Sequence, residues 1–538
     1  MTIPGAINPT TGAAYTAADV ALASENGGCQ PLDLFGAKTA SAAALAYAYP
    51  TLSENVSYTQ AVVSGNVHGD VYQGFGAGPI KFAGGGEYRH EHGNVTHNLQ
   101  NQPFYNSYEL SYGLDYRGSI DVLEGYGELN VPLLKDMPLA KYAEVDGAIR
   151  ETYNKASNET VEPAGFAQPR EAGESASHTF DTWKVSGIWD VTDWLRFRGT
   201  RSQDVRAPQF RELFQAYSVA ASGPFASVTN PYHNGQSQQT NIFTGGTLAL
   251  KPETADTLTA GVVLSPKSGW LDRLRFSADW YEISINQPIV GPPFGIGAQN
   301  IVNGCFQGSS FFCSLITTAQ VPDPANPGHT YTSITSVNNA AANLGKYTTR
   351  GVDFEGDYDL PLDSVSKGAS GSLNFRLLAS YMYAMIIDTG LGGPVINYAG
   401  QSGPTGAFGG FNTSPYWQGN GYMTYTNGPF SGTLQVRYVG AGKLMARTPF
   451  GGLPVTPGSA GYSSTNPNSV NENSVPSEFY VNLAASYDVN QHVAVFANLN
   501  NVFNQTPPIA PGGNGYPTNP VYFDTYGMTW KVGARFRF

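Results

Sequence analysis

The chain has 538 residues, with 29 Lys or Arg against 41 Asp or Glu, a formal net charge of −12, and charged residues are only 13% of it while aromatic ones are 12%. An ordinary soluble domain carries about 25% charge; this mixture is too aromatic for a disordered chain, too poor in charge for a long coiled coil and too acidic for a nucleic-acid binder, which needs a basic face. No run of about 18 apolar residues occurs, so no transmembrane helix is expected.

From the N-terminus, residues 1–58 read as loop. The opening Met1-Thr2-Ile3-Pro4-Gly5 has no basic n-region and no apolar h-region of a signal peptide, Ala40 to Ala48 is an Ala-rich run, and Cys29 has no obvious partner. Beyond, the signal is period two, in which successive side chains point to opposite faces of a strand. Ile80, Phe82, Gly84, Gly86 and Tyr88 alternate with Lys81, Ala83, Gly85, Glu87 and Arg89. Ala143, Val145, Gly147 and Ile149 alternate with Glu144, Asp146, Ala148 and Arg150, and Trp183, Val185, Gly187 and Trp189 with Thr182, Lys184, Ser186 and Ile188. Leu274, Phe276 and Ala278 oppose Arg275, Ser277 and Asp279, and the phase slips near Trp280-Tyr281, where a bulge is expected. Phe479 to Tyr487 and Val493 to Leu499 repeat the pattern. The last stretch, Tyr526, Met528, Trp530, Val532, Ala534, Phe536 and Phe538, does so with an aromatic at the final residue.

Connections alternate in length. Asp190 to Asp193, Asn427-Gly428-Pro429 and Asp488 to Gln491 are tight turns, whereas Arg206 to Pro252, Asn286 to Asn343, Gly442 to Ser477 and Phe503 to Asp524 are long and rich in Gly, Pro, Asn and Ser. A sandwich has no reason to place every long loop at one end; an outer-membrane barrel does. The expected fold class is therefore all-β, a transmembrane antiparallel barrel of about fifteen strands running from near Thr59 to Phe538. Its outward face meets lipid, where a charge costs about 2–4 kcal/mol at the midplane, and this accounts for the low charge fraction. Closed pairing satisfies every backbone group where no water is available.

Several side-chain groups are candidates. Cys305 and Cys313 read as a small disulfide-closed loop in an oxidising compartment, two free thiols being the alternative. His90 and His92, in Arg89-His90-Glu91-His92 with His97 nearby, share a strand face and are weak metal or ligand candidates; solvated residues at a strand end is the plainer reading. Gly74 to Gly78 and Gly84 to Gly86 are not followed by a helix and read as barrel and turn glycines, not phosphate loops. Loop aromatics Tyr217, Phe225, Tyr232, Phe311, Phe408, Phe411, Tyr416 and Trp417 are candidates to stack on a ligand, or to serve as packing and membrane-interface girdle. No catalytic constellation is readable, so no enzyme and no cofactor are expected. The apolar set ending Trp530, Phe536 and Phe538 reads as the signal that barrel-insertion machinery recognises.

Four stretches resemble the β-barrel domain of TonB-dependent outer-membrane receptors: Asp204 to Phe214, containing Arg206-Ala207-Pro208 and Glu212-Leu213-Phe214; Pro252 to Thr257; Tyr347 to Glu355, containing Gly351-Val352-Asp353; and Asn498 to Asn504 together with terminal Phe538. The resemblance covers about Thr59 to Phe538. It implies a Gram-negative cell outer membrane, lipid and assembly-machinery partners, and active uptake of a scarce nutrient such as a siderophore or oligosaccharide, the substrate remaining open. Ligand would bind extracellular loops and a plug on which TonB pulls. The alternative is a passive, porin-like barrel. Plugged transporters of this kind have 22 strands. With about fifteen in residues 59–538 and no plug visible in 1–58, the chain is expected to be an N-terminally truncated barrel. Arg206 and Glu212 would either touch ligand or shape the rim.

Overall fold

The computed structural model describes residues 40–42, 44–45, 53–98, 114–160, 171–220, 226–290, 296–324, 326–388, 390, 395–403, 413–448, 452–510 and 517–537. One antiparallel sheet dominates them. Its fifteen successive strands are β1 (Glu54–Tyr72), β2 (Ile80–His97), β3 (Tyr116–Met137), β4 (Ala140–Asn158), β5 (Ser175–Asp190), β6 (Leu195–Arg206), β7 (Glu253–Leu264) and β8 (Leu274–Asn286), followed by β9 (Lys346–Pro361), β10 (Ser372–Asp388), β11 (Trp417–Asn427), β12 (Phe430–Val439), β13 (Glu478–Asp488), β14 (Val493–Asn500) and β15 (Thr529–Phe536). Each pairs with the next, and the short Ile396–Asn397 adds to β10. The wall is not closed: among the described residues β1 pairs only with β2 and β15 only with β14. The strand number is thus as expected from the alternation. β1 begins at Glu54, ahead of Thr59, because Glu54 to Tyr58 continue in register with His97 to Gly93 of β2.

The connections sort by end. Links β1–β2, β3–β4, β5–β6, β7–β8, β9–β10, β11–β12 and β13–β14 are short, and the links between them are long, so every long loop gathers at one end of the wall. The two faces differ as the alternation dictates. Val145, Ile149, Val185, Trp189 and Phe197 point outward and are exposed, as are Trp530, Val532 and Phe536 on β15. A contiguous exposed apolar band of this size marks a surface built for an apolar environment. The inward face of the same strands carries Glu128, Asp146, Arg150 and Lys184, with Lys184 Nζ 3.0 Å from Asp146 and Arg150 3.0 Å from Glu124. Towards the long-loop end the outward band stops at an aromatic cluster. Trp417 stacks on Tyr381 (ring centroids 4.6 Å) and Phe354 (6.1 Å), and Trp280 Nε1 donates to Tyr383 Oη at 2.9 Å. Beyond it the outward residues are ion pairs, Arg201–Asp256 at 3.0 Å and Arg350–Glu282 at 2.7 Å. Charge returns where water does.

The bulge expected at Trp280-Tyr281 lies elsewhere. β8 keeps unbroken register with both neighbours, Trp280 opposite Ala260 and Val352, Tyr281 opposite Thr259 and Gly351. Trp280 therefore continues the outward set and Tyr281 faces inward. The irregularity is two strands on, where Arg350 pairs with Ala384 but Gly351 with Met382, leaving Tyr383 as the extra residue in β10. The cause is local. A Cβ on Gly351 would meet the Tyr281 hydroxyl at 2.4 Å and the Tyr381 carbonyl at 2.7 Å. The wall is pinched there around an inward tyrosine, and a bulge accommodates the pinch by increasing local twist.

Candidate functional site

The long-loop end is built around Arg206, the last residue of β6. Pro208 has no N–H with which to extend the strand, so the chain turns into the one-and-a-half-turn helix α1 (Phe210–Phe214). The Arg206 guanidinium grips two carboxylates. Its Nε and Nη2 donate to Glu253 (2.7 and 3.2 Å), and its Nη1 and Nη2 donate to Glu212 (2.9 and 3.1 Å). Both carboxylates also accept backbone N–H groups, Glu212 from Gln209 and Glu253 from Ile289, each at 2.7 Å. One residue thereby ties β6, α1, β7 and the start of the loop after β8. Planar fork-on-fork pairing is the geometry that arginine, and not lysine, supplies.

α1 is seated on the inward side of β2 and β3. Phe214 is fully buried with Leu213 against Val95, Ile120 and Val122, and Phe210 stacks beside Tyr116. Two glycines make room: a Cβ on Gly93 would lie 2.4 Å from the Phe210 ring, and one on Gly118 2.7 Å from Phe214. Ala207 is half-buried in the turn between clamp and helix.

The rest of loop 207–252 folds with loop 287–345 into one unit. Asn241–Thr244 pairs in parallel with Thr330–Asn338 and antiparallel with Ser218–Ala220, while Ile316–Pro322 completes a four-stranded sheet. Helices α2 (Ala298–Phe306) and α3 (Ser310–Cys313) pack on it through Ile301, Val302 and Phe312 against Val228, Ile334 and Val337. Cys305 and Cys313 are joined by a disulfide between these helices, eight residues apart in sequence. Closing so short a loop stabilises by roughly 2–3 kcal/mol in the chain-entropy picture. A non-reduced digest of the native protein should therefore give one cross-linked peptide pair, and Cys305→Ser should render α2 and α3 protease-sensitive while the wall stays intact. Two alkylatable thiols in the native protein would contradict this.

The loops after β10, β12 and β14 also meet. Asn519 donates to the carbonyls of Ser402 and Gly403 (3.2 and 3.1 Å), and Ala446 N–H donates to Gln401 Oε1 at 2.7 Å. Lys443 is half-buried among them, its Nζ donating to the Asn397 carbonyl at 3.4 Å, and burial pushes its amine below the usual lysine range. Burial raises the Tyr522 hydroxyl to about 12.

His90 and His92 share the outward face of β2 but turn to different carboxylates, His90 Nδ1 to Asp121 (2.8 Å) and His92 Nε2 to Glu159 (3.3 Å). His97 faces inward between Glu54 and Asp115, each at 3.2 Å. Among the described residues no group of three or more His, Cys, Asp or Glu is set to hold a metal. Val352 points outward beside Trp280 and Tyr381. Asp353 points inward, where it accepts from Ser380 and lines, with Arg198, Asp279, Glu355 and Asn420, a groove of ≈ 360 Å³ on the inward wall. Of the loop aromatics, Tyr217 is buried, Tyr232 packs edge-on against Phe306 (5.2 Å), Phe311 against Phe312 (5.1 Å), and Trp417 belongs to the outward cluster. Tyr416 covers Gly400; Phe225, Phe408, Phe411, Cys29 and Phe538 lie outside the described residues. Sequence reading missed Glu253 as the second carboxylate on Arg206, and missed the glycine seats; neither has a signal short of the fold itself.

A family model described as TonB dependent receptor-like, beta-barrel matches residues 10–502. Solved structures similar in fold include the siderophore receptor PirA from Acinetobacter baumannii (11% identity, TM-score 0.47, covering 90% of this chain and 63% of that one). Others are the ferric-catecholate import receptor Fiu from K12 E. coli (14%, TM-score 0.49, 90% and 55%) and the FrpB iron transporter from Neisseria meningitidis (12%, TM-score 0.49, 90% and 56%). The chain thus spans less than two thirds of the length of these solved chains. No curated protein matches it.

Proposed function

The chain belongs to the TonB-dependent receptor β-barrel family, and from that premise we propose that it forms most of the wall of a receptor that actively imports a scarce nutrient, siderophore- or oligosaccharide-like, across the outer membrane. The observation that carries the reading is the two-sided wall. It pairs an apolar outward band with an inward face of ion pairs and amides, and all its long connections lie at one end. Ligand enters at that mouth, between the disulfide-closed loop unit and the loops after β10, β12 and β14. TonB acts through a plug, and further strands complete the wall, since each free edge would otherwise leave unpaired backbone groups in lipid at several kcal/mol each.

The test is uptake of a panel of ferric siderophores, cobalamin and oligosaccharides by cells carrying the receptor, with and without TonB. The proposal expects one ligand class to enter only when TonB is present. Uptake that persists without TonB and falls with solute size would establish a passive barrel instead.

Assembly follows from the same reading. Trp530 and Phe536 project outward on β15, and Phe538 is the next apolar residue of the sequence alternation. Deleting Phe538 should lower the amount of heat-modifiable barrel in the outer membrane; an unchanged amount would show that another segment carries the signal.

A further inference from the structure

The seven long connections (98–115, 159–174, 207–252, 287–345, 389–416, 440–477 and 501–528) carry five Lys or Arg against ten Asp or Glu. Segment 389–416 has no Asp, Glu, Lys or Arg at all, 287–345 has only Asp323, and 501–528 has only Asp524. Three of the five cations are engaged within the loops. Arg211 Nε donates to Gln215 Oε1 at 2.8 Å, Lys443 Nζ donates to the Asn397 carbonyl at 3.4 Å, and Arg447 hydrogen-bonds to Tyr398. A multiply anionic ferric chelate brought to such a surface meets net repulsion, and no cluster of cations compensates the hydration it gives up.

The wall below divides the same way. From β2 to β10 its inward face carries ion pairs: Arg89–Glu91, Arg150–Glu124, Lys184–Asp146, Arg198–Asp279 and Arg376–Glu355. From β11 to β14 the inward positions between the rim residues Arg437 and Glu478 and the turn residue Asp488 hold only amides, hydroxyls and small or aromatic side chains. Arg437 donates to the Tyr522 carbonyl at 2.6 Å, and Glu478 accepts from Gln505 at 2.8 Å. Beneath them runs a ladder. Gln435 Nε2 donates to Asn420 Oδ1 at 2.9 Å and to Tyr422 Oη at 3.1 Å, Asn482 Nδ2 donates to Gln435 Oε1 at 3.0 Å, and the Asn501 N–H donates to Asn482 Oδ1 at 2.8 Å. A primary amide has two donors and an acceptor with two lone pairs. The ladder therefore holds its own shape and still offers both kinds of group to a hydroxyl. The three loops above it, 389–416, 440–477 and 501–528, are the ones poorest in carboxylates, with only Glu472 and Asp524 among them.

We propose that the ligand is an uncharged oligosaccharide, met by the loops after β10, β12 and β14 and by the amide ladder of β11 to β13 beneath them. The inference rests on the importer reading and names its ligand class. Neutral hydroxyls need donors and acceptors in fixed positions and no counter-charge, which is what this side of the wall supplies; a ferric tricatecholate or citrate chelate needs the cations it lacks.

The test is binding to the purified full-length receptor. The probes are neutral oligosaccharides released from starch, xylan, mannan and cellulose, set against a ferric tricatecholate, ferric citrate and a ferric trihydroxamate. One oligosaccharide pool should bind, with an affinity that hardly changes between low and high salt, because no ion pair is there to be screened. Gln435→Ala should weaken that binding roughly three- to tenfold, the loss of one net hydrogen bond, whereas Arg150→Gln, on the ion-paired side, should leave it unchanged; the heat-dependent gel shift of each variant checks its fold. Binding of no oligosaccharide pool, tighter binding of any of the three ferric chelates, or an oligosaccharide affinity that collapses in salt would overturn the proposal. Failure of the importer reading is distinguishable: the oligosaccharide would still bind, but its entry into cells would persist without TonB.

Discussion

Arg206→Ala should destabilise the long-loop end by about 3 kcal/mol, the lower end of the range for breaking a buried ion pair. The lower end applies because the Arg206 side chain is 35% exposed, although Glu212 and Glu253 are only 15% and 12% exposed. Removing the guanidinium leaves two carboxylates facing each other with only their single N–H donors, from Gln209 and Ile289. The expected readout is proteolysis: α1 and the loop after β8 become cleavable at protease levels that spare the wild type, and the midpoint of urea unfolding falls. Arg206→Lys should recover little, because one ammonium cannot grip both carboxylates in two-pronged fashion. Paired Glu212→Gln and Glu253→Gln should cost less than Arg206→Ala, since the amide oxygens still accept from the guanidinium and the charge left without a counter-ion, on Arg206, is the most exposed of the three. Wild-type protease resistance in Arg206→Ala would mean that the loops are held by the aromatic seat alone.

The second large effect is at that seat. Gly118→Ala places a methyl 2.7 Å from the ring of Phe214, which is fully buried, so the ring cannot swing into solvent. Overpacking of this kind costs about 1–3 kcal/mol, and α1 should lift from β3. Gly93→Ala should cost less, although its Cβ would come within 2.4 Å of Phe210, because Phe210 is only partly buried and its ring lies at the edge of the cluster. The two members of the pair should be coupled. Phe214→Ala alone leaves a cavity, but in the Gly118→Ala background the methyl occupies part of it, so the double variant should lose less than the sum of the singles. Strict additivity in urea unfolding monitored by heat-modifiability would show that α1 does not sit there.

The wall was legible in the sequence because its cause is local. In Trp183 to Trp189, or Trp530 to Phe536, the face of each side chain follows from position parity alone, and loop length alone sorts the ends. What was not legible depends on partners distant in sequence. Nothing around Tyr281 says that its ring lies over Gly351, so the sequence alone puts the slip of phase in β8, whereas the bulge belongs to β10. Nothing in Arg206 names Glu253, 47 residues away. The joint sheet of the two longest loops is equally hidden, because strands such as Asn241–Thr244 are too short to show a period. Trp417, read as a loop aromatic, stacks with Phe354 and Tyr381 on the outward face, a placement that needs the register of three strands.

The central claim is that this sheet stands in a membrane with its two faces in different solvents. Single cysteines along β5, from Thr182 to Trp189, in protein reconstituted into lipid and spin-labelled at each position, test it most directly. The account predicts period two. Labels at 183, 185, 187 and 189 should be relaxed by lipid-soluble oxygen, and those at 182, 184, 186 and 188 by a water-soluble nickel chelate. Equal access of the nickel chelate to both sets would contradict it.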